Sequence, residues 1–221
     1  MYFYKHLYRI AIWSIHYLYI SGGSEGSQSS EAREEHYPNP TRDIVLTFDK
    51  SKKGSIDVWW LYDDGGLTIL LPHLLSLSSH WKGSKMQIFT PASDKTLKSN
   101  QVRMANLLKK FRIDYSSVVP FIGINKQPKE ESIRNFKKFR NGEHLPPDGI
   151  LDKKTLRQIR LGELLHEHSS GAKLIVLTLP IPKKNVVTPF MYMSWLEVLS
   201  EHLPPILLVR GNQQSVLTFY S

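Results

Sequence analysis

Four clusters in this 221-residue sequence hold residue types able to do chemistry. Asp63-Asp64-Gly65-Gly66 follows an apolar, β-branched run, the place where an open α/β sheet presents ligands at its strand ends. Paired carboxylates there suit Mg²⁺ or the orientation of a base. Successive residues point in different directions, however, so the simpler expectation is that one aspartate caps the next helix while the glycines permit the turn. His166-Glu167-His168 carries metal-ligand types, yet positions i and i+2 face apart on a helix, so both histidines do not reach one ion. A solvated helix end before Ser169-Ser170-Gly171 is expected. Gly211, just past the run Ile206–Arg210, is placed for close approach to a ligand, and His73, His80, His144 and His202 stand alone.

The fourth cluster is basic. Lys109-Lys110-Phe111-Arg112 and Arg134-Asn135-Phe136-Lys137-Lys138-Phe139-Arg140 interleave cations with aromatics, as nucleic-acid surfaces and patches facing anionic lipid do. Phe136 and Phe139, at i and i+3, fit the core side of an amphipathic helix, so a solvated basic face is the default. The net charge of +9 comes from this region: residues 82–140 hold fourteen basic and four acidic side chains, and the remainder nearly balances. The excess is a patch rather than a property of the whole chain.

Several chemistries are excluded. There is no G-x-G-x-x-G or G-x-x-x-x-G-K-[ST] phosphate cradle and no G-x-S-x-G elbow. Zero cysteines remove disulfides, zinc ribbons, iron–sulfur sites and cysteine nucleophiles. The sequence therefore assigns no catalytic residue and no metal ligand, and an enzyme is not expected. A soluble nucleotide-sensing module using the strand ends near Asp64 and Gly211 stays open, with an adenine nucleotide as its only candidate cofactor. A basic domain binding nucleic acid or anionic lipid is the other alternative.

The elements that must position these residues alternate. Strands are expected at Ser55–Tyr62, Lys85–Thr90, Ser117–Ile122, Lys173–Leu179, Ile206–Val209 and Ser215–Tyr220. Between them, Leu67–Leu77 reads as a buried helix that Pro72 kinks or delays. Asn100–Arg112 is helical, with Val102, Ala105, Leu108 and Phe111 as its stripe beside Met104 and Leu107. Glu130–Phe139 follows within a basic insertion around residues 125–150, broken by Gly142 and Pro146-Pro147. Asp152 or Thr155 caps a helix through Leu156, Ile159, Leu161, Leu164 and Leu165, which Gly171 closes at C′. Thr188-Pro189 opens the last helix, with Phe190, Met193, Leu196, Leu199 and Leu203 as its stripe and Pro204-Pro205 as its stop. The order is βαβαβ, insertion, αβαββ, without internal repeats. It predicts an α/β fold built on a mainly parallel sheet with helices on both faces.

Order is expected from Ile44 onward, in one domain over residues 44–221. Residues 21–43 are rich in Ser, Gly, Glu and Pro and read as a disordered linker. Seven of the 24 aromatics lie in the first 20 residues, where Lys5, His6 and Arg9 precede an eleven-residue apolar run, Ile10–Ile20. That run is too short to cross a bilayer, which takes about 20 residues. It reads as an imitation of a signal peptide, an interfacial helix or the end of a fragment.

Two long strings carry a resemblance. Lys53-Gly54-Ser55-Ile56-Asp57-Val58-Trp59-Trp60-Leu61-Tyr62-Asp63-Asp64-Gly65-Gly66-Leu67-Thr68 resembles the start of the distal half of the cytosolic C-terminal domain of cation–chloride cotransporters. The stretch Leu203–Ser221 (LPPILLVRGNQQSVLTFYS) resembles that family's C-terminus. Lys110–Asp114 (KFRID) and Thr155–Ser169 (TLRQIRLGELLHEHS) match between them, so roughly residues 50–221 are covered. Trp59-Trp60, Asp63-Asp64 and the ending VLTFYS resemble the sodium-dependent branch, nearest the sodium–potassium–chloride cotransporters. The resemblance implies a Rossmann-like domain that dimerises and regulates transport from the cytosolic side of a parent's membrane domain. It also implies that the +10 stretch lies near an anionic leaflet or the rest of the transporter rather than nucleic acid. No ion-binding residue carries over, and this stretch alone is not expected to move ions. The apolar helix Pro189–Leu203 and the strand edges beside it are the expected dimer surface.

Overall fold

In the computed structural model the described residues are 54–62, 65–79, 81–139, 150–182, 187–210 and 215–217. The chain divides at Lys52/Lys53, and all of them belong to the unit Lys53–Ser221. The expected disorder of residues 21–43, the start of order at Ile44 and much of the insertion lie outside them.

Five strands form one parallel sheet: β1 (Ser55–Trp59), β2 (Lys85–Pro91), β3 (Ser117–Phe121), β4 (Leu174–Thr178) and β5 (Ile206–Val209). Their spatial order is β3-β2-β1-β4-β5. The chain winds outward from β1 to β3, then crosses back to the other side of β1, so the direction reverses between β1 and β4. This is the doubly wound, Rossmann-like arrangement. Right-handed crossovers then place helices on opposite faces.

In-register partners Val58, Ile88 and Val176 share one face, while Trp59, Phe89 and Leu177 share the other. Both faces are apolar because both are covered. The five helices among the described residues are α1 (Leu67–Leu77), α2 (Leu97–Lys110), α3 (Glu130–Phe139), α4 (Lys153–Ser169) and α5 (Pro189–Val198), ordered along the chain as β1-α1-β2-α2-β3-α3-α4-β4-α5-β5.

The Trp59 face is filled from α4. Trp59 stacks on Phe89 with ring centroids 4.6 Å apart and lies 4.8 Å from Phe121. Leu161, Leu164 and Leu165 close over them together with Ile175 and Leu177. The other side of α4 meets α3 and α5 in a second cluster of Phe136, Leu151, Ile159, Met191 and Trp195. On the opposite sheet face α1 packs against β1, β4 and β2, and α2 packs against β3.

Local signals explain the helix ends. Asp152 caps α4: its Oδ1 accepts from the N–H groups of Lys154 (2.8 Å) and Thr155 (3.0 Å), and its Oδ2 from the Thr155 hydroxyl (2.7 Å). Thr155 Oγ1 in turn accepts from Trp195 Nε1 (3.0 Å), which ties this cap to α5. Thr188 caps α5 by accepting from the Met191 N–H, with Pro189 at the start of the helix.

Five expectations need correction. Pro72 does not delay α1, which runs Leu67–Leu77 with Pro72 buried in its interior. Helix α2 starts at Leu97 and buries Met104 and Leu108, leaving Val102 at 58% exposure on the outside. Helix α5 buries Met191, Ser194, Trp195 and Leu196, and Phe190 faces out. Leu108 of the expected α2 stripe and Leu196 and Leu199 of the expected α5 stripe are buried, but tertiary packing prefers Met104 to Val102 and Met191 to Phe190 beside them. Gly171 follows the C-cap Ser170 without the left-handed φ of a glycine cap. Ser215–Leu217 adds no strand, because the Val216 N–H donates to the Gly65 carbonyl (2.8 Å) instead of to a β5 partner; the rest of that expected strand lies outside the described residues.

Candidate functional site

The crevice outside the C-terminal ends of β1 and β4, where the winding reverses, is the position at which doubly wound sheets take ligands. Gly65 and Gly66 make the turn out of β1 with φ of 83° and 87°, values that favour glycine. Gly66, not an aspartate, is the N-cap of α1. Asp63, Asp64 and Gly211 lie outside the described residues. Behind the turn, Thr68 Oγ1 and Thr178 Oγ1 lie 3.4 Å apart, and the Tyr62 hydroxyl donates to the Leu179 carbonyl (2.5 Å). The crevice is not open at Gly66: a Cβ there would sit 2.5 Å from Leu217 Cδ1. A smaller hollow of about 130 Å³ opens between the ends of β1 and β2, lined by Trp60, Tyr62, Thr90, Asn100 and Arg103 among others.

The basic cluster divides into structural and solvated parts. Every charged side chain of α2 is positive, and Lys98, Arg103, Lys109 and Lys110 are exposed. Phe111 and Arg112, by contrast, close the helix. Arg112 takes φ 53°, its N–H donates to the Lys109 carbonyl, and the Ile113 N–H reaches the Leu108 carbonyl. That pair of bonds is a Schellman close, with buried Ile113 packing where the motif wants an apolar residue. In α3, Phe136 is buried and Lys138 exposed; the side chain of Phe139 lies outside the described residues.

The two histidines of His166-Glu167-His168 go different ways. His168 lies against the aromatic cluster, 6.2 Å from Trp59 and 6.0 Å from Phe89 between ring centroids. His166 lines a groove of about 610 Å³ between α3, α4 and α5, along with Lys138, Glu163, Glu197, Glu201 and His202. His73 is half-buried in α1, and His80 and His144 lie outside the described residues. Burial alone would raise Glu163, but hydrogen bonds from Ser132, Arg160 and the Lys129 N–H, with the Arg160 charge, hold its carboxyl below the usual range. Glu163 thus joins α3 to α4 as a structural anion.

Two features escaped sequence reasoning. Asp57 is 2% exposed on β1, facing the end of α4, and its Oδ1 has no partner. Burial raises its pKa, and hydrogen bonds from Ser169 and Ser55 only partly offset this. The signal was a lone acid inside the apolar run SIDVW. The other is the docking of Val216 and Leu217 on the β1–α1 turn, which no local pattern announces.

Comparison with known proteins gives this arrangement a family. The chain matches the family described as Solute carrier family 12 over residues 23–145 and 148–221. The chain belongs to solute carrier family 12. The match starts well before residue 50, where the recognisable strings begin, and so includes part of the Ser/Gly-rich segment. Among its relatives, human solute carrier family 12 member 2 is 46% identical over 195 residues, covering 78% of this chain and 16% of the relative. Human member 1 is 43% identical over 195 residues, covering 78% of this chain and 18% of the relative. Member 2 of Squalus acanthias is likewise 43% identical. These relatives place the chain on the sodium–potassium–chloride side of this cation–chloride cotransporter family. The chain spans less than a fifth of the length of each. No described helix is long and apolar enough to cross a membrane.

Proposed function

We propose that this α/β domain is a dimerising, regulatory domain of an electroneutral cotransporter that moves chloride with sodium and potassium. It lies on the cytosolic side of its parent's membrane domain and binds no ions for transport itself. Family membership supports the parent activity. The observation that carries the dimer is the uncovered apolar surface beside β5.

Leu74 and Leu77 of α1 are 53% and 66% exposed, and Ile206, Leu207 and Leu208 of the edge strand β5 are only half-buried. The other edge, β3, is blunted by Pro120, which has no N–H to offer a new strand. Helix α5, expected to supply the interface, spends Met191, Trp195 and Leu196 on the core and leaves Phe190 outside. The interface therefore belongs at the β5 edge and α1. Sedimentation of the 221-residue chain over a wide concentration range is expected to show a dimer, weakened by Leu74→Ser with Leu77→Ser. A chain that stays monomeric at high concentration overturns the reading.

The exposed cations of α2 fit an anionic leaflet, with roughly 1 kcal/mol per basic residue near such a surface. Co-sedimentation with phosphatidylserine vesicles but not with neutral ones is the expected result, and equal recovery with both removes this part. An adenine nucleotide has no place in the proposal, since Leu217 sits at the crevice mouth. Calorimetry with ATP is expected to give no heat beyond dilution.

A further inference from the structure

The switch-point crevice has an occupant from its own chain. Residues 215–217 lie across the turn from β1 into α1, and the contact is specific in both backbone and side chain. The Val216 N–H donates to the Gly65 carbonyl at 2.8 Å. The Leu217 side chain covers Gly66 so closely that a Cβ at position 66 would meet Cδ1 at 2.5 Å and Cγ at 2.7 Å. The Ser215 hydroxyl donates to the Leu217 carbonyl (2.9 Å), which folds the segment into a compact turn. Gly66 is buried beneath it.

We propose that residues 215–217 form a strap that closes the switch-point crevice and releases from it without unfolding the sheet. Among the described residues one backbone bond and one half-buried leucine tie the segment down, while Val216 remains 42% exposed. Those gains are comparable with the conformational entropy of three ordered residues, so opening costs far less than global unfolding. Gly66 is the matching half of the latch. Only a residue without a Cβ leaves room for Leu217, and only glycine takes φ 87° there without strain. Release uncovers the turn from β1 into α1 at Gly65 and Gly66. The position of the strap therefore decides access to the crevice.

The absence of cysteine makes the test clean, because one introduced thiol is the only one in the 221-residue chain. Thiol modification is compared between Leu217→Cys and Ser215→Cys, and hydrogen exchange is followed in Leu217→Asp. The strap predicts a thiol at least five-fold slower at position 217 than at the exposed position 215. It also predicts at least five-fold faster exchange of the amides of residues 66–70 in Leu217→Asp, with α4 unchanged. Gly66→Ala should abolish the protection at position 217. Equal thiol rates, unchanged exchange at 66–70, or an increase spread equally over α4 would each overturn it. The last result would make the segment part of the cooperative core.

Discussion

Helices α4 and α1 lie on opposite faces of the same sheet and are treated oppositely by it. The sequence of α4 is the more polar, KKTLRQIRLGELLHEHS, yet it buries seven residues, because it has the sheet on one side and α3 and α5 on the other. The sequence of α1 is almost wholly apolar, LTILLPHLLSL, yet it buries only Thr68, Ile69 and Pro72 and leaves Leu74 and Leu77 in the open. Apolar composition measures how much surface a helix wants to bury, whereas neighbours decide how much is buried. The surplus on α1 is apolar surface left uncovered in this chain, and α4 is the structural centre.

The contrast can be broken at several points. Trp59→Ala removes the ring at the centre of the α4 face, stacked on Phe89 and donating to Ser169 Oγ (3.1 Å). A loss of about 3–5 kcal/mol is expected in chemical denaturation, enough to unfold a marginal domain. Gly162→Ala probes the closeness of α4 and α5, since the new Cβ would lie 2.9 Å from the Val198 carbonyl oxygen and 3.0 Å from its Cγ1. The backbone oxygen cannot step aside cheaply, so a loss of about 1–3 kcal/mol is expected despite alanine's better helix propensity.

Asp57→Asn sharpens the comparison through pH. Burial raises the folded-state pKa of Asp57 above its unfolded value, so its contribution is fully present below the unfolded pKa and is lost as pH rises through the folded one. The stability of Asp57→Asn relative to the parent should accordingly increase as pH rises from about 4 to 7, read from urea midpoints. A flat difference would show that Asp57 stays solvated. The smallest effect belongs to α1: Leu74→Ser with Leu77→Ser should change stability of the isolated subunit by no more than about 0.5 kcal/mol. A loss rivalling that of Trp59→Ala would erase the distinction between the two helices.

Much of this was legible beforehand. Continuous apolar runs at Ser55–Trp59 and Leu174–Thr178 announce strands covered on both faces, and Asp152 and Thr188 announce helix starts through their capping side chains. What resisted was choice among equivalent apolar residues. In α5, Phe190 and Met191 are equally plausible core residues, and only the position of Leu151 and Ile159 makes Met191 the buried one. Arg112 reads as part of a basic patch, but its left-handed φ belongs to the end of α2. The crevice was locatable from Asp63-Asp64-Gly65-Gly66 at the end of a strand, while its occupant, about 150 residues away in sequence, was not.

The sequence by itself determined the elements, their alternation and thus the parallel sheet, because strand runs, caps and breakers act over a few residues. It also determined the family through strings long enough to be specific, and it confined the positive charge to residues 82–140. Only the tertiary structure decided which apolar stripes are spent, why a buried Asp57 faces Ser169, and that Leu217 lies on Gly66. Burial and desolvation depend on neighbours brought together by the whole fold, and no local pattern encodes who those neighbours are.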